Sequence, residues 1–72
     1  MNQINPRKLL LSKWTAVSPV KKRKHFIVIK LVLDEITQDV VGCILQAVID
    51  KYEMQLDWRK LKNSNTWRQG WK

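Results

Sequence analysis

His25-Phe26-Ile27-Val28-Ile29-Lys30-Leu31-Val32-Leu33 is the stretch whose reading decides the fold. It is β-branched and aromatic, contains no Gly or Pro, and places an aliphatic residue at every second position from Ile27 to Leu33. In a strand, residues i and i+2 share a face, so Ile27, Ile29, Leu31 and Leu33 form one apolar stripe. The other face reads Phe26, Val28, Lys30 and Val32. Wound as a helix, the segment would be apolar nearly all round, which suits neither a short chain nor its β-branched content. It reads as the central strand of a small antiparallel sheet.

Upstream, Asn5-Pro6-Arg7-Lys8 is a turn or extended lead-in, because the residue before Pro avoids the helical region. Leu9-Leu10-Leu11 then packs on the sheet as irregular structure or one helical turn. Ser12 to Val17 reads as a first strand, ended by Ser18-Pro19, and Val20 to Lys24 as a basic loop. Downstream, Asp34 to Asp39 turns the chain, and Val40 to Ile49 is a long strand with Val41, Cys43, Leu45, Ala47 and Ile49 as its stripe. A fourth strand alternates Tyr52, Met54, Leu56 and Trp58 against Lys51, Glu53, Gln55 and Asp57. Asp57 caps a helical turn through Arg59, Lys60 and Leu61, which Asn63-Ser64-Asn65 ends. The tail from Thr66 to Lys72 is too short for an independent element, and its two Trp suggest that it is tied down.

The stripes constrain one another. Opposing Ile27 to Ala47, Ile29 to Leu45, Leu31 to Cys43 and Leu33 to Val41 leaves a short loop at Ile36-Thr37-Gln38. Opposing Ile49 to Tyr52, Ala47 to Met54, Leu45 to Leu56 and Cys43 to Trp58 keeps all three stripes on one face. A slip of one residue would expose a whole stripe, so the agreement supports a meander. Phe26, Val28, Val32, Ile44 and Val48 leave the opposite face half apolar, in need of cover from sheet curling, the terminal segments or a partner. The expected fold is all-β: a strongly bent antiparallel meander of about four strands, closing towards an SH3-like or OB-like barrel, with a short helical turn near the C-terminus.

Seventy-two residues suffice for one domain, residues 1–72; a chain of this size buries only about 60% of its unfolded surface. One Cys and one His can supply neither an internal disulfide nor a zinc ligand set. Leu9-Leu10-Leu11 is too short an apolar run for a signal peptide or membrane span, so a reduced, cytoplasmic setting is expected. The net charge of +8 is unevenly spread. Residues 1–30 carry Arg7, Lys8, Lys13, Lys21, Lys22, Arg23, Lys24 and Lys30 and no acid. Asp34, Glu35, Asp39 and Asp50 gather around the expected turns, and basic residues again outnumber acids after Lys51. A chain so basic is drawn to polyanions.

The sequence resembles the small tryptophan-rich bacterial proteins of about this length. The resemblance rests on Asn5-Pro6-Arg7-Lys8-Leu9-Leu10, Ser12-Lys13-Trp14-Thr15-Ala16-Val17-Ser18-Pro19 and Lys24-His25-Phe26. It closes on Asp57-Trp58-Arg59-Lys60-Leu61 and Trp67-Arg68-Gln69-Gly70-Trp71. The turn Asp34-Glu35-Ile36-Thr37-Gln38-Asp39 departs from it by lacking a glycine. The resemblance implies a bacterial, cytoplasmic setting and supplies no activity and no catalytic or binding residues to carry over.

No constellation for catalysis stands out. His25 reads as a strand-edge residue, since no carboxylate is placed to orient it. Cys43 lies mid-stripe and reads as core rather than nucleophile. Asp34, Glu35 and Asp39 read as a solvated turn rather than a cation site, and neither glycine belongs to a phosphate loop. Trp14 and Trp58 fall on strand stripes and read as core. Trp67 and Trp71 carry two readings: a tail latched onto the sheet, or a surface on which nucleotide bases stack. The expected function is a small, non-enzymatic nucleic-acid-binding module, favouring RNA or single strands over duplex DNA because no recognition helix is present. Its candidate residues are Lys21, Lys22, Arg23, Lys24, Arg59, Lys60, Trp67, Arg68, Trp71 and Lys72. The alternative is a protein-interaction or assembly factor that uses the half-apolar sheet face and the Trp-containing tail. Neither reading calls for a cofactor, a metal or a membrane, and the oligomeric state is left open.

Overall fold

The central strand runs from Arg23 to Leu33 in the computed structural model, which describes residues 1–72. The strands in chain order are β1 (Lys13–Val20), β2 (Arg23–Leu33), β3 (Val40–Ala47), β4 (Glu53–Leu56) and β5 (Trp67–Gln69), with 3-10 turns at Pro6–Lys8 and Trp58–Lys62. They form one open antiparallel sheet in the order β4-β3-β2-β1-β5. The all-β class and the four-strand meander stand. No helix is long and apolar enough to cross a membrane.

The faces of β2 are corrected by a bulge. Phe26 opposes Ala47 and Val28 opposes Leu45, whereas Lys30 opposes Ile44 and Leu31 opposes Cys43. Ile29 is therefore an extra residue on β2, and a second irregularity beside Val41 restores the first register. A bulge of one residue exchanges the faces of everything before it. Phe26 and Val28 are thus buried, while Ile27 and Ile29 are only half-buried on the outer face and Leu33 is exposed. β3 keeps its inward stripe at Cys43, Leu45 and Ala47, but Val41 and Ile49 are exposed. β4 pairs two residues from the expected register, with Cys43 opposite Leu56 and Leu45 opposite Met54. Side chains stay on the same face, because a slip of two preserves the alternation. Gly42 is buried here, and a Cβ on it would lie 3.0 Å from the Leu56 carbonyl oxygen. A side chain there would push the two backbones apart by a few tenths of an ångström, which glycine avoids.

The first hairpin differs too. β1 does not stop at Ser18-Pro19 but continues to Val20, and a two-residue connection, Lys21-Lys22, returns the chain to Arg23. Both lysines have positive φ, 53° and 64°, the sign pattern of a type I′ turn usually built from Asn and Gly. Between the pairs Thr15–His25 and Val20–Arg23, four residues of β1 oppose Lys24 alone. Pro19 is accommodated in this wide bulge, where no ladder donor is required of it.

The tail becomes a strand. β5 lies outside β1, with Trp14 opposite Gln69, Thr15 opposite Arg68 and Ala16 opposite Trp67. Val17 N–H donates to Thr66 O at 2.9 Å and Gly70 N–H to Lys13 O at 2.8 Å. The core comprises Leu9, Trp14, Phe26, Val28, Cys43, Leu45, Ala47, Leu61 and Trp67. Of the three N-terminal leucines only Leu9 is buried. The expected cap is present: the Asp57 carboxylate accepts from Arg59 N–H at 2.9 Å and opens the 3-10 turn that delivers Leu61.

Candidate nucleic-acid interface

Alternation along β1 sends Trp14 inward and Thr15 outward, and the register aligns Arg68, Thr15 and His25 across β5, β1 and β2. The chain end folds over this row. Gly70, at φ 80°, turns it, a conformation that glycine adopts without penalty. The Thr15 hydroxyl donates to Gly70 O at 2.7 Å and accepts from Lys72 N–H at 2.9 Å. The Trp71 indole N–H donates to Phe26 O at 3.0 Å, and His25 Nε2 lies 3.0 Å from Lys72 O. Thr15 is consequently buried although it faces away from the core.

This crossing brings together cations distant in sequence. Lys24, opposite the bulge, Arg68 on β5 and Lys72 on the tail surround Thr15, Ala16 and Val17 in a cleft of about 260 Å³. Trp71, 44% exposed, stands beside it with Lys13 Nζ 4.7 Å from its ring centroid and the His25 ring at 6.0 Å. The molecule's single ion pair, Arg23–Asp50, lies elsewhere, so no acidic side chain pairs with these cations.

The other candidate residues are dispersed. Lys21 and Lys22 are exposed at the hairpin tip. The Arg23 guanidinium is engaged: Nε donates to Asp50 Oδ2 at 2.8 Å, and the group stacks 3.9 Å from the Tyr52 ring centroid. Arg59 and Lys60 sit on the 3-10 turn. Arg59 borders a different concavity, with Lys62 and Met1, and flanks the half-buried Trp58. Trp67 is buried, edge-on to Phe26 at 5.3 Å and 81°, and does not line the basic cleft. Sequence reasoning overlooked Lys13 and His25 as members of the cluster. Alternation with Thr15 puts Lys13 on its face, but His25 joins only through the tail.

The acids serve structure. Asp34 Oδ1 accepts from Ile36 N–H at 2.8 Å and Thr37 N–H at 3.0 Å, and these donors hold its carboxyl below the usual range, Thr37 most strongly. Asp50 is lowered by the Tyr52 backbone N–H and then by Arg23. Burial pushes the Cys43 thiol up to about 11, with the Asp57 charge adding to the effect, which leaves it protonated and unreactive at neutral pH.

A second hollow, about 360 Å³, opens where β1 bulges away from β2. Phe26 and Trp67 form its floor, with Val20, Tyr52 and Met54 around it.

A family model described as a tryptophan-rich protein (DUF2389) matches residues 12–72, the stretch that contains the whole sheet and the folded-back tail. No curated protein and no solved structure matches the chain.

Proposed function

We propose, from the premise that this chain belongs to the tryptophan-rich protein family DUF2389, that it is a small non-enzymatic module binding single-stranded or structured RNA in preference to duplex DNA. The observation that carries the reading is the convergence of Lys24, Arg68 and Lys72 on one cleft beside the exposed Trp71, with no acidic side chain among them. Unpaired cations beside an exposed ring are the two parts that single-strand binding uses: phosphate neutralisation and base stacking. Lys13 extends the cationic surface along the same side of the sheet.

A fluorescence titration with a short single-stranded RNA tests this. If Lys13, Lys24, Arg68 and Lys72 each meet a phosphate, affinity falls against log salt with a slope of about −3. Replacing Lys24, Arg68 and Lys72 by Gln brings the slope above about −1 while the fold persists, since all three side chains are exposed. Trp71→Ala weakens binding at every salt concentration by roughly 1–3 kcal/mol and leaves the slope unchanged. No binding near physiological salt, or binding insensitive to salt, would favour the protein-interaction alternative, whose anchors are aromatic and apolar.

The proposal includes a strong bend of the sheet that closes it towards an SH3-like or OB-like barrel. It is supported by the 3-10 turn that spans from β4 at one edge to β5 at the other while burying Leu61 in the core. Slow hydrogen exchange at the β4 amides that face away from β3 is expected of a closing sheet; fast exchange there would leave it open.

A further inference from the structure

We infer that the hollow between Tyr52 and Trp67 receives a nucleobase from the strand whose phosphates occupy the basic cleft, a deepening that rests on the nucleic-acid reading above. Its floor and walls are aromatic and aliphatic, but its rim carries Ser18, Asn65 and Thr66. Those three side chains make no hydrogen bond within the protein: the backbone N–H of Asn65 bonds to Asn63, and Thr66 bonds only through its backbone. An apolar cavity with a few unspent polar groups at one edge fits a flat heterocycle that stacks on its face and bonds along its rim.

Tyr52 is held for this role. The Arg23 guanidinium lies 3.9 Å from its ring centroid, and Asp50 anchors the guanidinium at 2.8 Å. An aromatic wall fixed in advance loses little side-chain freedom on binding.

The occupant follows from continuity and charge. Ala16 borders both the hollow and the basic cleft, so the two sites meet around the β1 bulge. The hollow lies on the core side of β1 and the cleft on the Thr15 side, so a strand that crosses the bulge at Ala16 reaches the first with a base and the second with its phosphates. The hollow's own charged residue, Arg23, is paired with Asp50, so the attraction for a phosphate-bearing chain comes from Lys24, Arg68 and Lys72. An apolar peptide segment would fill the floor but leave those cations unmatched.

The test uses the full chain and single-stranded oligomers of about eight nucleotides, each of one base type, together with an abasic strand of equal length. Asn65→Ala and Tyr52→Ala are chosen because both side chains are exposed and outside the buried core; a thermal melt confirms that each variant folds. Asn65→Ala is expected to compress the affinity differences among base types, and Tyr52→Ala to weaken every base-bearing oligomer at least about fivefold. Neither should alter the abasic strand or the salt slope. If the salt slope persists but both variants keep the parental affinities and base order, the base-pocket inference is overturned and the phosphate cleft stands. If those variants instead lose binding of an apolar peptide while oligomer binding is untouched, the hollow is a protein site. If no oligomer binds at any salt concentration, this inference and the function it rests on both fall.

Discussion

Leu45→Ala is expected to cost about 2–5 kcal/mol, the range for removing three carbons from a well-packed core. Leu45 is fully buried at the centre of β3, between Val28 on β2 and Met54 on β4. Strands on both sides restrain collapse of the cavity, which places the cost high in that range. A domain of this length has roughly 4–11 kcal/mol of stability in all. The midpoint of thermal unfolding should therefore fall by tens of degrees, on the order of 4–8 °C for each kcal/mol. Circular dichroism across a melt reads the result directly. An unchanged midpoint would mean that the β2-β3-β4 register is wrong at its middle.

Trp67→Ala should be as damaging, at about 3–5 kcal/mol, although it lies only five residues before Lys72. The ring is buried edge-on to Phe26, and its strand supplies hydrogen bonds to the outer edge of β1. Removing it opens a cavity beneath Phe26 and frees β5, which exposes the unpaired edge of β1. Trp71→Ala is the control. That ring is 44% exposed and makes a single hydrogen bond, to Phe26 O, so its loss should shift the midpoint by far less. The contrast separates a core tryptophan from a surface one within the same short tail. Equal effects on stability from both substitutions would contradict the division of roles.

The predicted binding set reflects the same asymmetry between local and distant information. Lys21 to Lys24 are consecutive, and a run of four cations reads as one unit. The hairpin separates them: two sit on the turn, Arg23 is drawn to Asp50 and Tyr52, and Lys24 lies opposite the β1 bulge. Arg68 and Lys72 reach Lys24 only because β5 pairs with β1 and the tail then crosses Thr15. Arg59 and Lys60, close to Arg68 in sequence, stay on the 3-10 turn.

Alternation and β-branching in the stretch from His25 to Leu33 determined the strand class, and short connections between apolar stripes determined the meander. The Asp57 cap and the inward run of Cys43, Leu45 and Ala47 were equally local, because each depends on residues a few positions apart. The faces of β2 were decided only by the tertiary structure. Both faces are apolar before Lys30, so alternation could not choose between Phe26 with Val28 and Ile27 with Ile29. The bulge at Ile29 chose the first pair, against which Trp14 and Trp67 pack. The pairing of β5 with β1 was likewise invisible locally, since its partners stand more than fifty residues apart and three residues carry almost no periodic signal. Burial of Trp67 and the ladder to β1 outweigh the entropy of ordering the tail, and that balance exists only once the rest of the sheet has formed.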